Sequence, residues 1–189
     1  MGLLHAPTLE GDLVRLEPLR HRHAQGLAAA AAADRSTFGF TRVPDGIDDT
    51  LAYIEELLGA QASGTVIPFA QVLTRDNRVV GATRFMGLRF VDEEATPFSV
   101  EIGGTWLAAS AQRSGVNSEA KSLLVNHAFT TWGVRRVEFR TDARNTRSRQ
   151  AIERAGAQFE GVLRRFEPSL VAGEELALRD TAVFSILAP

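Results

Sequence analysis

The spacing of apolar residues along the chain predicts an alternation of strands and helices. Alternating or short continuous apolar runs predict strands over residues 13–19, 65–74, 78–90, 99–107, 137–141, 157–165 and 179–187. Apolar positions that recur with helical spacing predict helices over about 21–33 and 49–61, a third from near Asn117 and a fourth from near Asn145. The order β-α-α-β-β-β-α-β-α-β-β indicates an α/β domain with flanking helices and a mixed, mostly antiparallel sheet, in which the central β-α-β unit supplies a parallel pair.

Residues with strong helix-end preferences predict where these helices begin and end. Asp48 or Asp49 is the predicted N-cap of the second helix, and Asn117 and Asn145 suit that position in the third and fourth. Gly133 and Gly156 are predicted to end the third and fourth. The predicted buried faces are Leu51, Ile54, Leu57 and Leu58 in the second helix, Ala120, Leu123, Leu124, His127, Ala128 and Thr131 in the third, and Ser148, Ala151, Ile152 and Ala155 in the fourth.

Composition narrows the class of protein. A chain of 189 residues with 44% hydrophobic and 23% charged residues suits one globular domain, residues 1–189 with a core over about 9–187. The net charge of −2 gives no general attraction to nucleic acid or to an anionic membrane. The absence of cysteine excludes disulfides and thiolate chemistry. No signal peptide and no run of about 20 apolar residues is present, so we expect a cytoplasmic protein with neither a nucleic-acid nor a membrane partner.

The most informative segment is the run Gln112-Arg113-Ser114-Gly115-Val116-Asn117, between a predicted strand and a predicted helix. A turn that opens a helix presents unpaired backbone N–H groups at the positive end of the helix dipole, and such a turn can hold a pyrophosphate. A side chain at Gly115 would obstruct that approach, so we expect a β-branched substitution there to weaken ligand affinity more than fold stability. An ordinary strand-to-helix loop explains the same run equally well.

Six segments, in order, resemble the GNAT superfamily of acyl-CoA-dependent N-acetyltransferases, and more closely its ribosomal-protein N-terminal acetyltransferase (RimJ/RimL-like) branch. They begin at Leu9, Glu101, Gly115, Asn145, Gly156 and Arg179, and read LEGDLVRLEPL, EIGGTWL, GVNSEAK, NTRSRQAI, GA with FEGVLR, and RD. The resemblance implies a GNAT fold that moves an acetyl group from acetyl-CoA directly to a primary amine, without a metal. The acceptor is a small molecule or a peptide, and the sequence does not choose between them.

The resemblance also implies the acetyl-CoA site. The family motif reads Gln/Arg-x-x-Gly-x-Gly/Ala; Gln112 and Gly115 fit it, and Asn117 departs from it. The expected cosubstrate-binding residues are Trp106, Leu107, Gln112, Arg113, Ser114, Gly115, Val116, Asn117, Ser118 and Asn145. One or two of Arg113, Arg147, Arg149 and Arg154 are expected to reach the 3′-phosphate of CoA, since guanidinium groups match phosphate geometry.

A glycine pair, Gly103-Gly104, interrupts the strand 99–107, which predicts a bulge or a close approach by another backbone. The resemblance implies that this strand and the strand 137–141 part here, so that the pantetheine amides can bind the exposed edge. Glu101 points away from the face of Val100 and Ile102, and the family places on this strand the carboxylate that deprotonates the acceptor ammonium. A solvated glutamate or an ion-pair partner is the alternative for Glu101.

The general acid is harder to assign. Many GNAT enzymes carry a tyrosine seven residues after the helix-opening asparagine, but that position is Ile152, and the only tyrosine, Tyr53, suits a packing role. Ser148 is the candidate acid; it is equally well explained as a small packing residue, and the thiolate can also leave unassisted. Glu160 and Glu17 are expected near the acceptor cleft, and the spacing of His21 and His23 does not suit a metal.

Two broader alternatives follow from the same residues. The missing tyrosine and Asn117 leave open a catalytically degenerate acyl-CoA-binding module that acts as a sensor or partner protein. The loop 34–46, with Phe38 and Phe40, is expected to form part of the acceptor wall. We also expect a homodimer, for which the last strand, apolar at Val183, Phe184, Ile186 and Leu187, is the candidate interface.

Overall fold

The computed structural model describes residues 4–5, 7–91 and 96–189, which form one mixed sheet and four α-helices. The strands are β1 (Leu9–Glu10), β2 (Val14–Pro18), β3 (Ile67–Leu73), β4 (Val79–Arg89), β5 (Ser99–Leu107), β6 (Arg136–Asp142), β7 (Gln158–Pro168) and β8 (Leu178–Leu187). The helices are α1 (Ala24–Ala32), α2 (Gly46–Ala62), α3 (Val116–Thr130) and α4 (Thr146–Arg154). The strand order β1-β2-β3-β4-β5-β6-β8-β7 confirms the predicted α/β fold, with β1 as a short addition.

Two hydrophobic clusters hold helices on opposite faces of the sheet. The larger cluster joins α3 and α4 to the sheet through residues such as Leu124, Ile152 and Phe139. The smaller cluster joins α1 and α2 to the central strands through Leu27, Ile54 and their neighbours. Alternate residues of a strand face opposite sides, so the strands supply side chains to both clusters.

The only parallel pair among the described strands, β5 and β6, is short. It joins Ser99 to Arg136, Val100 to Val137 and Glu101 to Glu138. Beyond these residues β5 continues to Leu107 and β6 to Asp142, but the two strands no longer pair with each other. The pairing of β4 with β5 also shifts register at this level, and Gly104 has a φ of 58°, which an L-residue rarely adopts. These observations confirm both the predicted bulge and the predicted parting of the two strands.

The predicted start of α2 is wrong. The helix begins at Gly46 after Asp45, and the Asp49 carboxylate accepts a hydrogen bond from the Asp45 backbone N–H at 2.8 Å. The acidic residues at 48 and 49 therefore lie within the first turn, where they favour the helix dipole, rather than capping it. Leu51, predicted to be buried, is 39% exposed because the apolar face of α2 centres on Tyr53, Ile54 and Leu57.

The predicted N-cap of α3 is also wrong, because Gly115 occupies that position with a φ of 88° and Asn117 lies inside the first turn. The helix ends at Thr130, before Gly133, and Thr131 is exposed. Elsewhere the first predicted helix is divided into a 3₁₀ turn, His21–His23, and α1. The capping role of Asn145 in α4 is confirmed, since its side chain accepts a hydrogen bond from the Ser148 backbone N–H at 3.0 Å.

A single carboxylate fastens the start of α3 to the turn between β1 and β2. Glu119 accepts backbone hydrogen bonds from Asp12 at 3.0 Å and from Leu13 and Val14 at 2.8 Å each. Hydrogen bonds to an ionised acceptor are stronger than neutral ones, and these donors would otherwise lack a partner in the turn. The turn that opens α3 is thereby held against the edge of the sheet.

We predict that Glu119→Ala lowers the free energy of unfolding by about 2 kcal/mol, because three backbone donors lose a charged acceptor. Urea denaturation at neutral pH measures the change. Glu153→Ala, which removes an exposed glutamate of α4, is the matched control and should change stability by less than about 0.5 kcal/mol. Equal effects of the two substitutions would contradict this interpretation.

Candidate active site

A cleft of about 530 Å³ lies where the turn before α3, the start of α4 and the loop after α1 meet. Most of the residues predicted from the sequence to bind a cosubstrate or to act in catalysis line it: Trp106, Leu107, Gln112, Arg113, Gly115, Asn117, Ser118, Asn145 and Ser148. Ser114 and Val116 direct their side chains elsewhere, since the Ser114 hydroxyl donates to the Ala111 carbonyl at 2.6 Å and Val116 is buried in the core. The structure therefore brings the predicted turn and the start of α4 into one site.

The turn itself has the backbone geometry of an anion site. Arg113 and Gly115 both have positive φ, at 59° and 88°, and the first intrahelical bond of α3 is donated by Glu119 to the Gly115 carbonyl at 3.0 Å. The amides that precede this bond face the start of the cleft without a helical acceptor. A Cβ at Gly115 would also lie 3.0 Å from Leu13 Cδ1 and in a strained conformation, so a substitution there disturbs the fold as well as the site.

The loop after α1 is fastened across the cleft by Gln112 and Arg147. Gln112 Nε2 donates to the Leu107 carbonyl at 2.9 Å and to Thr37 Oγ1 at 3.1 Å. Arg147 donates to Gln112 Oε1 at 3.0 Å and to the Thr37 carbonyl at 2.6 Å. The Gln112 amide is thus engaged by protein groups and shapes the wall of the cleft. Phe38, from the same loop, packs edge-on against Trp106 with ring centroids 6.0 Å apart.

Glu101 does not line this cleft; it lies at the point where β5 and β6 part. It is 8% exposed, and a Cβ built on Gly103 would lie 3.1 Å from its Oε1. Burial raises the pKa of Glu101 to about 7; Arg140 opposes this shift, and the carboxylates Glu167 and Glu138 add to it. The carboxylate can therefore exchange a proton near neutral pH.

Arg140 links Glu101 to a charged cluster that the sequence analysis missed. Its guanidinium lies 3.5 Å from Glu101 Oε2, 3.1 Å from Glu138 Oε2 and 3.4 Å from Glu167 Oε1. The parallel register sets Glu138 beside Glu101, and alternation along β6 then brings Arg140 to the same face. That register depends on strand pairing, which the sequence pattern does not specify.

The two other carboxylates expected near the acceptor are engaged in ion pairs elsewhere. Glu17 lies on β2, where a hydrogen bond from Arg22 lowers its pKa to about 2. Glu160 lies on β7, where hydrogen bonds from Arg136 and Ser185 lower its pKa to about 2. Both are held ionised at neutral pH. Glu17 pairs with residues outside the cluster around Glu101, whereas Glu160 is connected to that cluster through Arg136, which also bonds Glu138.

The start of α4 places Ser148 in the cleft, half-buried. Ile152, at the position where many family members have tyrosine, is 3% exposed and packs in the larger cluster. Tyr53 is 6% exposed in the smaller cluster, which confirms its packing role. Of the arginines expected near phosphate, Arg113, Arg147 and Arg154 line the cleft, whereas Arg149 stacks over Phe159.

Metal-ligand clusters and membrane-spanning helices are both absent from the described residues, 4–5, 7–91 and 96–189. No group of three or more histidine, cysteine, aspartate or glutamate residues in these ranges could hold a metal ion. No helix in these ranges is both long and apolar enough to cross a membrane. His21 and His23 contact Glu55 and Glu17 respectively.

A parallel pair that opens beside a helix-opening turn, with a buried carboxylate at the fork, is the architecture of acyl-CoA-dependent N-acyltransferases. The sequence model of one protein family, the acetyltransferase (GNAT) domain, matches residues 14–158 of this chain. The chain therefore belongs to the GNAT acetyltransferase family and is an N-acetyltransferase. This fold uses acetyl-CoA as its acetyl donor.

Solved structures agree with the family assignment. A GCN5-related N-acetyltransferase from Brucella melitensis is 30% identical with a TM-score of 0.80, over 98% of this chain and 80% of that chain. RimJ of Mycobacterium smegmatis, in complex with CoA-disulfide, is 26% identical with a TM-score of 0.76, over 93% of this chain and 82% of that chain. The second likeness is consistent with the RimJ/RimL-like branch. A search of curated proteins gave no match.

We predict that Glu101→Gln raises the free energy of unfolding at about pH 8 by up to about 3 kcal/mol, with the gain vanishing near pH 4. Between pH 4.5 and about 7 the folded protein keeps a proton that the unfolded carboxyl has released, so wild-type stability falls as pH rises through this range. Denaturant unfolding at several pH values measures it.

Glu138→Gln is the matched control of opposite sign. Burial alone would raise the pKa of Glu138, but hydrogen bonds from Arg136 and Arg140 outweigh burial and lower it. This variant should therefore lose stability at pH 8. A Glu101→Gln variant that is less stable than wild type at pH 8 would show that the Glu101 carboxylate is stabilised as an anion.

Proposed function

We propose that the protein transfers the acetyl group of acetyl-CoA directly to a primary amine, with Glu101 as the general base. The observation that carries this proposal is a buried carboxylate of pKa about 7, two residues before the Gly103-Gly104 fork. An amine that arrives protonated cannot attack a thioester until its lone pair is free. A base that titrates near neutral pH suits this task.

The proposed step conserves atoms and charge. Glu101 accepts a proton from the acceptor ammonium, directly or through water, and the neutral amine attacks the thioester carbonyl. A C–N bond forms and the C–S bond breaks as the tetrahedral intermediate collapses. The CoA thiolate takes up the second proton of the amine nitrogen, relayed by Ser148, which lines the cleft, or by water, and Glu101 later returns its proton to solvent.

The cleft supports the placement of acetyl-CoA in this proposal. The helix-opening turn from Gln112 to Ser118 would hold the pyrophosphate, and the edge of β5 beyond Glu101, left unpaired by β6, would bind the pantetheine amides. Trp106, Leu107 and Asn145 line the path between these two points. The thioester would then reach the fork beside Glu101.

Glu101 belongs to a network in which carboxylates and guanidinium groups are equal in number. The carboxylates are Glu101, Glu138, Glu160 and Glu167, and the guanidinium groups are Arg89, Arg136, Arg140 and Arg179. The network as a whole therefore does not select the acceptor by charge, and the proposed acceptor is defined by the primary amine that Glu101 deprotonates. Both a protein N-terminus and a small-molecule amine meet this requirement. We place the reaction in the cytoplasm, a reducing compartment with which a chain lacking cysteine is compatible.

A catalytically degenerate acyl-CoA-binding protein is the second candidate. The specific observation in its favour is that Ile152, at the position of the usual tyrosine, is buried and cannot protonate the thiolate. In that case acetyl-CoA would bind without turnover. Release of free thiol from acetyl-CoA, followed across a panel of amines and peptides, separates the two candidates.

We predict that Glu101→Gln lowers kcat by about 10²–10⁴-fold and flattens the acid limb of the pH–rate profile, because a positioned base contributes about that factor. The affinity for CoA should change little, since Glu101 lies outside the large cleft. Initial-rate assays of free thiol measure kcat and its pH profile, and calorimetry measures the affinity for CoA. Glu153→Gln, on the exposed side of α4, is the matched control and should behave as wild type.

Ser148→Ala should cost less than Glu101→Gln, because a thiolate leaves readily without assistance. Near-full activity of Glu101→Gln with an unchanged pH profile would refute the assignment. The base would then be Glu167 or water, rather than Glu17, Glu160 or Glu138, whose pKa values are lowered by hydrogen bonds from arginine.

We also propose a homodimer, but through β7 rather than through the last strand. The earlier candidate, β8, lies between β6 and β7, and its Phe184 is fully buried. The outer strand β7 instead exposes Phe159, Val162 and Leu163 by 44%, 43% and 41%. An unprotected apolar edge strand is a template for pairing with a second copy.

Light scattering at a concentration on the order of tens of micromolar should report a dimer for wild type and a monomer for Leu163→Lys, because a buried lysine would be costly at the interface. Leu51→Lys on the exposed side of α2 is the control and should remain a dimer. A monomeric wild-type protein would contradict this proposal.

A further inference from the structure

Lys121 is the only lysine in the chain; the other twenty residues of the lysine and arginine total are arginines. It is also buried, at 6% exposure, whereas lysine is almost never fully buried without a partner. It lies on α3, one turn beyond the start of the helix, and lines the same cleft as the helix-opening turn. Neither the family motif nor the proposed reaction uses this amine.

The ammonium group has one hydrogen-bond acceptor among the described residues. Lys121 Nζ donates a hydrogen bond at 2.9 Å to Oδ1 of Asn117, which lies one helical turn earlier on α3. Asn117 is the residue that departs from the small side chain of the family motif, so its departure and the unusual lysine belong to one interaction. Burial lowers the pKa of Lys121 to about 8.

The charged groups around α3 do not supply a counter-ion in the described structure. Glu119, on the same helix, turns to the backbone of residues 12–14. On α4, Arg154 lines the cleft and Arg147 is engaged by Gln112 and Thr37, while Glu153 is exposed.

The remaining charged neighbours lie on β1, on the turn, on β2 and on β5; Glu10 on β1 is exposed. Arg113 in the turn is a further cation of the cleft. On β2, Arg15 and Glu17 pair with each other. On β5, Glu101 faces the side of the sheet opposite to Val100 and Ile102, which pack in the cluster that contains α3. The lysine is therefore a desolvated cation in a cleft with further cations, and an anion that enters the cleft would supply its counter-ion.

We propose that Lys121, held by Asn117, is a phosphate-binding residue for CoA, and that CoA binding is coupled to proton uptake by this amine above neutral pH. The inference rests on the proposed binding of CoA in this cleft. A buried lysine can change its charge, whereas an arginine stays charged, so the single use of lysine here gives the site a property that the other basic residues lack. The partner is either the pyrophosphate or the 3′-phosphate.

The direction of the coupling follows from linkage. A phosphate beside the amine favours the charged form and raises the pKa of Lys121 above its value of about 8 in the free protein. Between the two pKa values the free protein is neutral at this site and the complex is protonated. CoA affinity therefore falls as pH rises through this range, by at most tenfold per pH unit for one proton.

The single lysine makes a direct test available. Protein labelled with ¹³Cε-lysine contains one lysine resonance, and its chemical shift reports the ionisation of Lys121. We expect the titration midpoint near pH 8 without ligand to rise by at least about one pH unit with saturating desulfo-CoA, a probe without the CoA thiol. Identical titrations with and without the probe would overturn the proposal, even if the probe binds.

Calorimetry supplies an independent readout. For wild type, the dissociation constant of desulfo-CoA should rise between about pH 7.5 and 9.5, with proton uptake visible from the dependence of the heat on buffer. Lys121→Met should weaken binding on the order of 10- to 100-fold at pH 7.5, because that factor corresponds to the loss of one charge-assisted hydrogen bond. The same substitution should remove the pH dependence of binding. Arg154→Met removes another cation of the cleft and should keep the pH dependence.

The remaining outcomes separate this inference from the proposed function. ADP carries the pyrophosphate and adenosine 3′,5′-diphosphate carries the 3′-phosphate, so the probe whose binding Lys121→Met weakens identifies the partner. Wild-type affinity in Lys121→Met, with unchanged thermal unfolding, would show that the lysine does not bind phosphate and would refute this inference alone. No binding of desulfo-CoA to wild type would refute the proposed function and this inference together.

Discussion

The site depends on a parallel pair that is only three residues long. Backbone groups of β5 and β6 satisfy each other from Ser99 to Glu101, and beyond that point both strands continue with donors and acceptors that have no partner across the gap. Unpaired backbone groups inside a sheet are costly unless something else bonds them. The fork is therefore an incomplete ladder, which a ligand with amide groups can complete, and the fold places Glu101 at its closed end.

The rest of the architecture keeps this fork open. Gly104 adopts a φ of 58°, a backbone conformation that residues with a Cβ rarely adopt, so the bulge favours glycine at this position. On the other side, Glu119 holds the turn of α3 against the β1–β2 turn. Helices also pack on both faces of the sheet, and the two hydrophobic clusters are formed while β5 and β6 remain apart.

The sequence predicted the parts that depend on local pattern and missed those that depend on pairing. Strand and helix order, the bulge at Gly103-Gly104 and the capping role of Asn145 follow from periodicity and from residue-specific backbone preferences, whereas the parting of β5 and β6 was implied by the family resemblance. The N-cap of α3 was misplaced because Asn117 and Gly115 both suit helix starts, and only the positive φ decides between them. The cluster around Arg140 needs the register of β5 against β6, which no local signal gives.

Desolvation acts on Glu101 at the fork and on Lys121 in the cleft, with opposite results for the two charges. At the fork, burial makes the Glu101 carboxylate a weaker acid, so that it can hold a proton near neutral pH. In the wall of the cleft, burial makes the Lys121 ammonium a stronger acid, so that it can release one in the same region of pH. A negatively charged cosubstrate that enters between them would favour the protonated form of both groups, because each gains a proton in response to added negative charge. Its phosphates would act on the amine at contact distance, whereas the uncharged thioester would leave the carboxylate close to its own titration range. In the proposed complex, the fold would therefore bind a polyanion without protonating Glu101.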